Sequence, residues 1–363
     1  MQIIINIIVF ILVLGTIVTI HEFGHFIAAK FFHVYCGSFS IGMGPKIFSK
    51  QGKETAFELR ALPIGGFVTM AGETDQEEND QFKDVPLERT LKGKKTYQKL
   101  IIFLAGIFMN FVLAIVIMLI LNLTVGVLPV NKATVGSVVK NTPAAIYGLK
   151  QGDTITNIEC DASKKSYVIS SFNDLNNDLT KKALNVTEDT ISIDVTVTRD
   201  NQSVVIPMKV SYDKNAGRYT IGFIHATRRM NFTESIRETF KEIGTMSVAI
   251  FTALRKLALN FSSTVKQMSG PIGIYQITAQ VTQSGQIANL FYLMALLSVN
   301  IGVFNLLPIP GLDGAQALFA IIEGIIGREL PQKVKFGLQI AGMALVLALM
   351  LIVAFQDIGR LFR

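Results

Sequence analysis

Charge is scarce in this chain. Of its 363 residues, 17% are charged and 50% hydrophobic, and the mean hydropathy is +0.44. Soluble domains carry about 25% charge, so a membrane protein is the expectation and an ordinary soluble enzyme is excluded. Cysteine is scarcer still. Cys36 and Cys160 stand far apart with no second Cys at ligand spacing, so neither a disulfide framework nor a thiolate metal site is implied and each reads as a small packed residue. Net charge is +7, yet the Lys and Arg residues form no block and do not alternate with aromatics along one stripe, so no nucleic-acid partner is expected. No basic residue precedes the first apolar run. The basic n-region of a cleavable signal peptide is therefore missing, and the first helix is expected to stay in the mature protein. Internal repeats and low-complexity tracts do not stand out either.

What the chain has in quantity is long apolar sequence. Four stretches, starting near Ile3, Leu100, Ile287 and Phe336, exceed the roughly 18 to 20 residues that span about 30 Å of hydrocarbon. The second runs from Leu100 to Asn131 and the fourth from Phe336 to Gln356 without a charge, and both read as plain spans. The segment joining the first two carries Lys30, Lys46, Lys50, Lys53, Arg60, Lys92, Lys94, Lys95 and Lys99. Positive-inside bias places that loop in the cytosol and the N-terminus outside. Residues 129–230 change character, with polar turns and alternating runs such as Ile191 to Thr198, which read as strands of a small β domain outside the membrane. After it, Ile236, Phe240, Ile243, Ile250 and Leu254 recur at helical spacing among Arg237, Lys241, Arg255 and Lys256. That is an amphipathic helix, either lying on the membrane or packing on the β domain. The expected fold is thus an α-helical polytopic membrane protein with four transmembrane helices and an inserted, small β-rich domain, divided at 1–128, 129–230, 231–285 and 286–363.

The informative residues are His21-Glu22-Phe23-Gly24-His25. Two histidines at i and i+4 share one helix face and can hold one Zn²⁺ between them, with Glu22 beside that face as general base toward water. Four histidines in 363 residues give about 0.04 such pairs by chance. A solvated surface helix would explain the residues equally, but the motif continues an uncharged apolar run from Ile3, and ionisable groups at membrane depth are costly and usually functional. With Lys30 at the cytosolic interface, His25 and His21 lie about 8 and 14 Å inside it.

Two histidines leave room for a third protein ligand. Asp313 is the only acid between Gln267 and Gly314, and it sits where Pro308, Pro310, Gly311 and Gly314 break the helix. Irregular backbone at membrane depth is tolerated only where protein or a polar cavity surrounds it. The ligand reading is preferred to the simpler one, in which Asp313 caps the helix that follows, Ala315 to Gly327. Glu323 is the fallback ligand.

These motifs resemble the site-2 protease family of intramembrane zinc metalloproteases, in the bacterial branch with one PDZ domain that carries out regulated intramembrane proteolysis. The resemblance covers nearly the whole chain. It includes His-Glu-Phe-Gly-His, Ser40-Ile-Gly-Met-Gly-Pro-Lys46, Leu62-Pro-Ile-Gly-Gly-Phe67, Ser269-Gly-Pro-Ile-Gly273 and Asn305-Leu-Leu-Pro-Ile-Pro-Gly-Leu-Asp-Gly314. It implies His21, His25 and Asp313 as zinc ligands, Glu22 as catalytic base and Asn305 as a contact to substrate backbone. One departure is Ala315-Gln316 after Gly314, where the family commonly has Gly and then His or Arg.

The resemblance also selects between readings of two further segments. Glu54 to Met70 alternates apolar and charged residues before Pro63 and Gly65-Gly66 turn the chain back. By itself this is an ordinary hairpin; with the resemblance it is a loop that pairs with an extended substrate, Gly65, Gly66 and Phe67 being the binding residues. Pro143 to Ile155, preceded by Val135 to Val139, resembles the helix-turn-strand segment of bacterial PDZ domains. Such a domain would contact substrate, capture a C-terminus newly made by a site-1 cut, or exclude substrates with bulky outer domains. The implied partners are transmembrane substrate proteins and the lipid bilayer, and the implied location is the bacterial cytoplasmic membrane. The rival functions are a non-enzymatic membrane receptor that binds exported peptides, which leaves Glu22 between paired histidines unexplained, and a metal transporter, which leaves the PDZ-like segment without purpose.

Overall fold

The computed structural model describes residues 2–73, 82–214, 216–265, 268 and 270–361. Ser269, quoted above in the Gly-Pro-Ile-Gly run, and the side chain of Pro63 lie outside the described part. The chain forms two compact units, Met1–Thr124 with Thr233–Arg363, and Val125–Phe232.

The first unit opens with α1 (Gln2–Phe31), which is uncharged and mostly apolar until Glu22. It ends where His33 adopts a left-handed backbone (φ 58) and the Val34 N–H donates to the Ala29 carbonyl, a common way to satisfy final carbonyls. Strands β1 (Cys36–Gln51) and β2 (Ala56–Met70) follow, then α2 (Thr96–Thr124).

The remaining elements of this unit come after the insertion. That insertion is the second unit. It holds β3 (Val127–Pro129), β4 (Val135–Val138), α3 (Pro143–Ile146), β5 (Thr154–Cys160), β6 (Lys165–Val168), α4 (Phe172–Asp178), α5 (Lys181–Leu184), β7 (Thr190–Arg199), β8 (Gln202–Asp213), β9 (Arg218–Thr220), β10 (Phe223–His225) and β11 (Thr227–Arg229). An antiparallel five-stranded sheet runs β6-β5-β7-β8-β9, beside the pairs β10-β4 and β11-β3. Strict alternation along β7 buries Ile191, Ile193, Val195 and Val197 against Leu149, Leu175, Leu184 and Tyr219 in one core. The strand expected over 191–198 thus exists, and a β-rich insertion is present.

Back in the first unit are α6 (Phe232–Leu259), α7 (Phe261–Val265), α8 (Pro271–Gln283), α9 (Ile287–Leu306), α10 (Asp313–Ile326) and α11 (Gln332–Leu361). Among the described residues four helices are long and apolar enough to cross a membrane: α1, α2, α9 and α11. They match the four expected spans, although α2 ends at Thr124 rather than continuing to Asn131. Helix α6 meets helices of its own unit. Its Ile243, Met246 and Ile250 pack into a cluster with Ala114, Ile117 and Met118 of α2 and Ala295, Val299 and Val303 of α9, while Asn122 of α2 donates to Thr239 and Glu242. Part of its apolar stripe thus packs on helices of its own unit, while Phe240 is exposed.

The hairpin expected between Glu54 and Met70 has a different pairing. Residues 56–59 and 66–70 do not pair with each other. Both flank 38–41, for Ile41 opposes Gly66 on one side and Leu59 on the other, and 46–51 pairs outside 56–60. Four extended segments therefore form one small sheet, with 66–70 at one edge. Inside it Glu58 is buried and bonded to Lys46 and Arg60, each at 2.6 Å. Burial alone would raise its pKa, but these two cations outweigh that and lower it. Glu54 bridges Lys30, at the end of α1, and Arg89 at 2.8 and 2.7 Å. The hydrogen bonds from Lys30 and then Arg89 bring its pKa down to about 2. Cys36 is fully buried, and burial raises its thiol pKa to about 11, as befits the packed residue anticipated.

Candidate metal centre

Helices α1 and α2 cross closely beside the paired histidines because glycines face the contact. A Cβ on Gly24 would lie 2.3 Å from the Ala105 carbonyl oxygen, and one on Gly106 would lie 2.3 Å from Nε2 of His25. Contacts under about 3.0 Å are unattainable for real Cβ atoms, so any larger residue would separate the helices or displace the imidazole. Gly24 is therefore no spacer in the His-Glu-Phe-Gly-His run. It is what lets α2 reach the site.

Asp313 arrives from the other side. A Cβ on Gly314 would stand 2.4 Å from the Leu306 carbonyl oxygen, so only glycine permits the chain leaving α9 to fold back this tightly. The N-cap of α10 is Leu312, without a side-chain cap bond. Asp313 is the first helical residue and does not act as a cap, so the simpler reading of this carboxylate finds no support. The carboxylate instead approaches both histidines.

His21 Nε2, His25 Nε2 and Asp313 Oδ2 form a triangle with sides of 3.3, 2.9 and 3.3 Å. Both histidines are buried. Asp313 Oδ2 is buried as well and lacks a hydrogen-bond partner of acceptable geometry, despite these short distances. Three electron-pair donors converging on one point is an arrangement that a cation satisfies. Tetrahedral zinc with ligand bonds of about 2.0 to 2.2 Å separates its ligand atoms by about 3.3 to 3.6 Å. The three residues fit that ion, and among the described residues they are the only His, Cys, Asp and Glu group close enough to hold a metal. The His25 ring is oriented by Nδ1, 2.8 Å from the Ile102 carbonyl. That carbonyl can only accept, so Nδ1 donates and Nε2 keeps its lone pair.

The other expected site residues have distinct positions. Glu22 is half-buried. A Cβ on Gly66 would lie 3.3 Å from its Cγ, and the Val68 backbone lies beside its carboxylate. The edge segment 66–70 of the small sheet thus runs along Glu22, which brings Gly66 to the site. Gly65 has φ +88 and packs against Met43, while the Phe67 ring lies 4.8 Å from the Arg60 guanidinium. Asn305 Nδ2 is 3.5 Å from His21 Nε2. Glu323, the fallback ligand, is bound elsewhere: it pairs with Lys335 and accepts the Leu330 N–H.

Sequence reasoning missed Gly106 and Asn110 of α2. Asn110 is fully buried, with Nδ2 3.1 Å from His21 Nδ1. Its polarity within the uncharged run from Leu100 was the available signal.

Known proteins resemble this chain over most of its length. Peptidase family M50 matches residues 9–349. The chain is 31% identical to the Regulator of sigma-W protease RasP of Bacillus subtilis (strain 168), over 98% of this chain and 99% of that protein. It is also 31% identical to the zinc metalloprotease RasP of Bacillus licheniformis, over 98% and 99%.

Proposed function

This chain belongs to peptidase family M50, the site-2 type of zinc metalloprotease, and we propose that it cuts transmembrane substrate proteins using His21, His25 and Asp313 as zinc ligands and Glu22 as general base. The observation that carries this reading is the triangle of three donor atoms from α1 and α10, with the acidic neighbour Glu22 on the same helix as the histidines. The receptor alternative is not retained, since it assigns no work to these groups.

Zinc held there would polarise the scissile carbonyl and make water a better nucleophile at neutral pH. The rest belongs to the protein. Glu22 takes a proton from the attacking water as the new C–O bond forms, then passes it to the amide nitrogen as the C–N bond breaks. Asn305, an amide beside His21, is suited to hold a substrate backbone carbonyl. A peptide bond inside a helix is shielded by its own turns, so a substrate must be drawn out before it is cut. Segment 66–70 supports that role because it is an edge whose other neighbour, 36–41, is already paired, and strand addition to a free edge holds a peptide extended. Gly65, Gly66 and Phe67 would then be substrate contacts.

The basic first loop supports a cytosolic face for the sheet, and hence an extracytoplasmic β unit and N-terminus in a bacterial cytoplasmic membrane. The Pro143 to Ile155 segment, with α3 leading by a turn into β5, supports a PDZ-type unit that contacts substrates or gates them by size. Anti-sigma factors and remnant signal peptides are suitable substrate classes for regulated intramembrane proteolysis. The deciding experiment incubates detergent-purified protein with a model transmembrane substrate, with and without a zinc chelator, beside Glu22→Gln. Chelation should abolish cleavage, and Glu22→Gln should keep zinc but lose turnover; wild-type turnover in that variant would remove Glu22 from the mechanism.

A further inference from the structure

Asn110 lies midway along α2 with no part of it exposed. Its backbone carbonyl accepts a hydrogen bond from Ser298 Oγ of α9 at 2.8 Å, so its position is tied to a second span. Its amide faces Nδ1 of His21 at 3.1 Å, while Oδ1, in the orientation with Nδ2 toward the ring, has no partner.

A carboxamide has an acceptor end and a donor end of nearly equal shape. The two orientations have opposite consequences for His21. With Nδ2 toward the ring, Nδ1 must accept, the ring hydrogen moves to Nε2, and Nε2 has no lone pair to offer a metal. With Oδ1 toward the ring, Nδ1–H donates and Nε2 is free. The oxygen that lacks a partner in the first orientation gains one in the second. His25 already follows the second pattern, with the Ile102 carbonyl in the accepting role. Ligand histidines generally donate their other ring N–H to an oxygen, which fixes both tautomer and ring plane.

We propose that Asn110 is a positioning residue of the metal centre, its side-chain oxygen accepting from His21 Nδ1–H and so aiming Nε2 at the point shared with His25 and Asp313. This rests on His21 being a ligand. Neither histidine relies on an acidic partner for orientation: one is set by a backbone carbonyl of α2, the other by a side-chain amide two turns further along the same helix. The second span is thereby part of the metal site although it supplies no ligand.

The test compares wild type, Asn110→Leu, Asn110→Asp and His21→Ala in one detergent. Zn²⁺ affinity is read by competition with a chromophoric chelator, the Co²⁺-loaded visible spectrum is recorded, and circular dichroism of the metal-free proteins checks folding. Asn110→Leu should bind zinc about 10- to 100-fold more weakly and shift the Co²⁺ spectrum. Asn110→Asp keeps an accepting oxygen and should hold zinc near the wild-type affinity; should the Leu variant not fold, Asn110→Ser, too short to reach the ring, takes its place. Wild-type affinity and spectrum in Asn110→Leu, or equal loss in the Leu and Asp variants, overturns the proposal while His21→Ala still loses zinc. Full zinc affinity in His21→Ala would instead overturn the ligand reading on which it rests.

Discussion

Replacing Gly106 with alanine adds one methyl group where the helix crossing meets the His25 ring. The new Cβ would stand 2.3 Å from His25 Nε2 and 2.8 Å from both neighbouring ring carbons. Ordinary contact is about 3.5 Å, so the imidazole must recede by roughly 1 Å. Zinc ligand distances tolerate only about 0.2 Å. A displaced ligand should cost at least as much as a lost outer-shell partner, so zinc affinity should fall by on the order of 100-fold. Stability should move less, because overpacking costs about 1 to 3 kcal/mol whereas alanine for glycine in a helix returns about 0.5 to 1 kcal/mol. Gly244→Ala on α6 is the control, since nothing lies within 4 Å of its added Cβ. Zinc per folded protein, chelator competition and thermal unfolding of the metal-free protein would be measured on both variants. Stoichiometric zinc and normal cleavage in Gly106→Ala would refute the reasoning, as would an equal zinc defect in Gly244→Ala.

Further outcomes follow from the same geometry. Asp313→Ala should lower zinc occupancy together with activity; a capping residue would cost about 1 kcal/mol of stability and spare the metal, so full occupancy with retained activity would show that the third ligand lies elsewhere. Glu54, whose pKa is brought from the ordinary carboxylate range to about 2 by Lys30 and Arg89, contributes stability that is complete above the unfolded pKa and fades as pH falls toward 2. The melting difference between wild type and Glu54→Gln should therefore be present at pH 6 and shrink between pH 4 and pH 2; a difference that grows on acidification would contradict this. Deleting Val135 to Phe223 with a short linker should leave cleavage of small model substrates intact and relax selectivity against bulky ones. Loss of activity on small substrates by a folded, zinc-loaded deletion would point to obligatory peptide capture.

The candidate metal centre was legible where chemistry is rare. Two of four histidines stood at helical spacing, and Asp313 was an isolated acid among prolines and glycines. Gly106 and Asn110 were not legible because their meaning depends on which side chain faces them, and α2 by itself is simply an apolar helix. The same limit applies to α6. Its periodicity announced an apolar face, but no pattern within one segment names the partner, which proved to be α2 and α9. Alternation between Glu54 and Met70 correctly announced strands, yet period two fixes only which residues share a side, leaving 38–41 to be found as the strand that both arms flank.

Helix α11 also looked featureless, and it ends with a buried aspartate. Asp357 Oδ2 accepts the N–H groups of Gly270 and Gly273 at 2.8 and 2.9 Å, so the final span carries the cap of α8. A Cβ on Gly270 would meet that oxygen at 2.9 Å, which ties the glycine to the carboxylate. During synthesis this has a consequence of order. Helix α8 emerges from the ribosome well before its cap exists, and α11 carries a carboxylate that finds its donors only on a segment already made. The last stretch of chain therefore completes an earlier one, and a protein truncated just before Asp357 would leave the start of α8 uncapped as well as the last helix shortened.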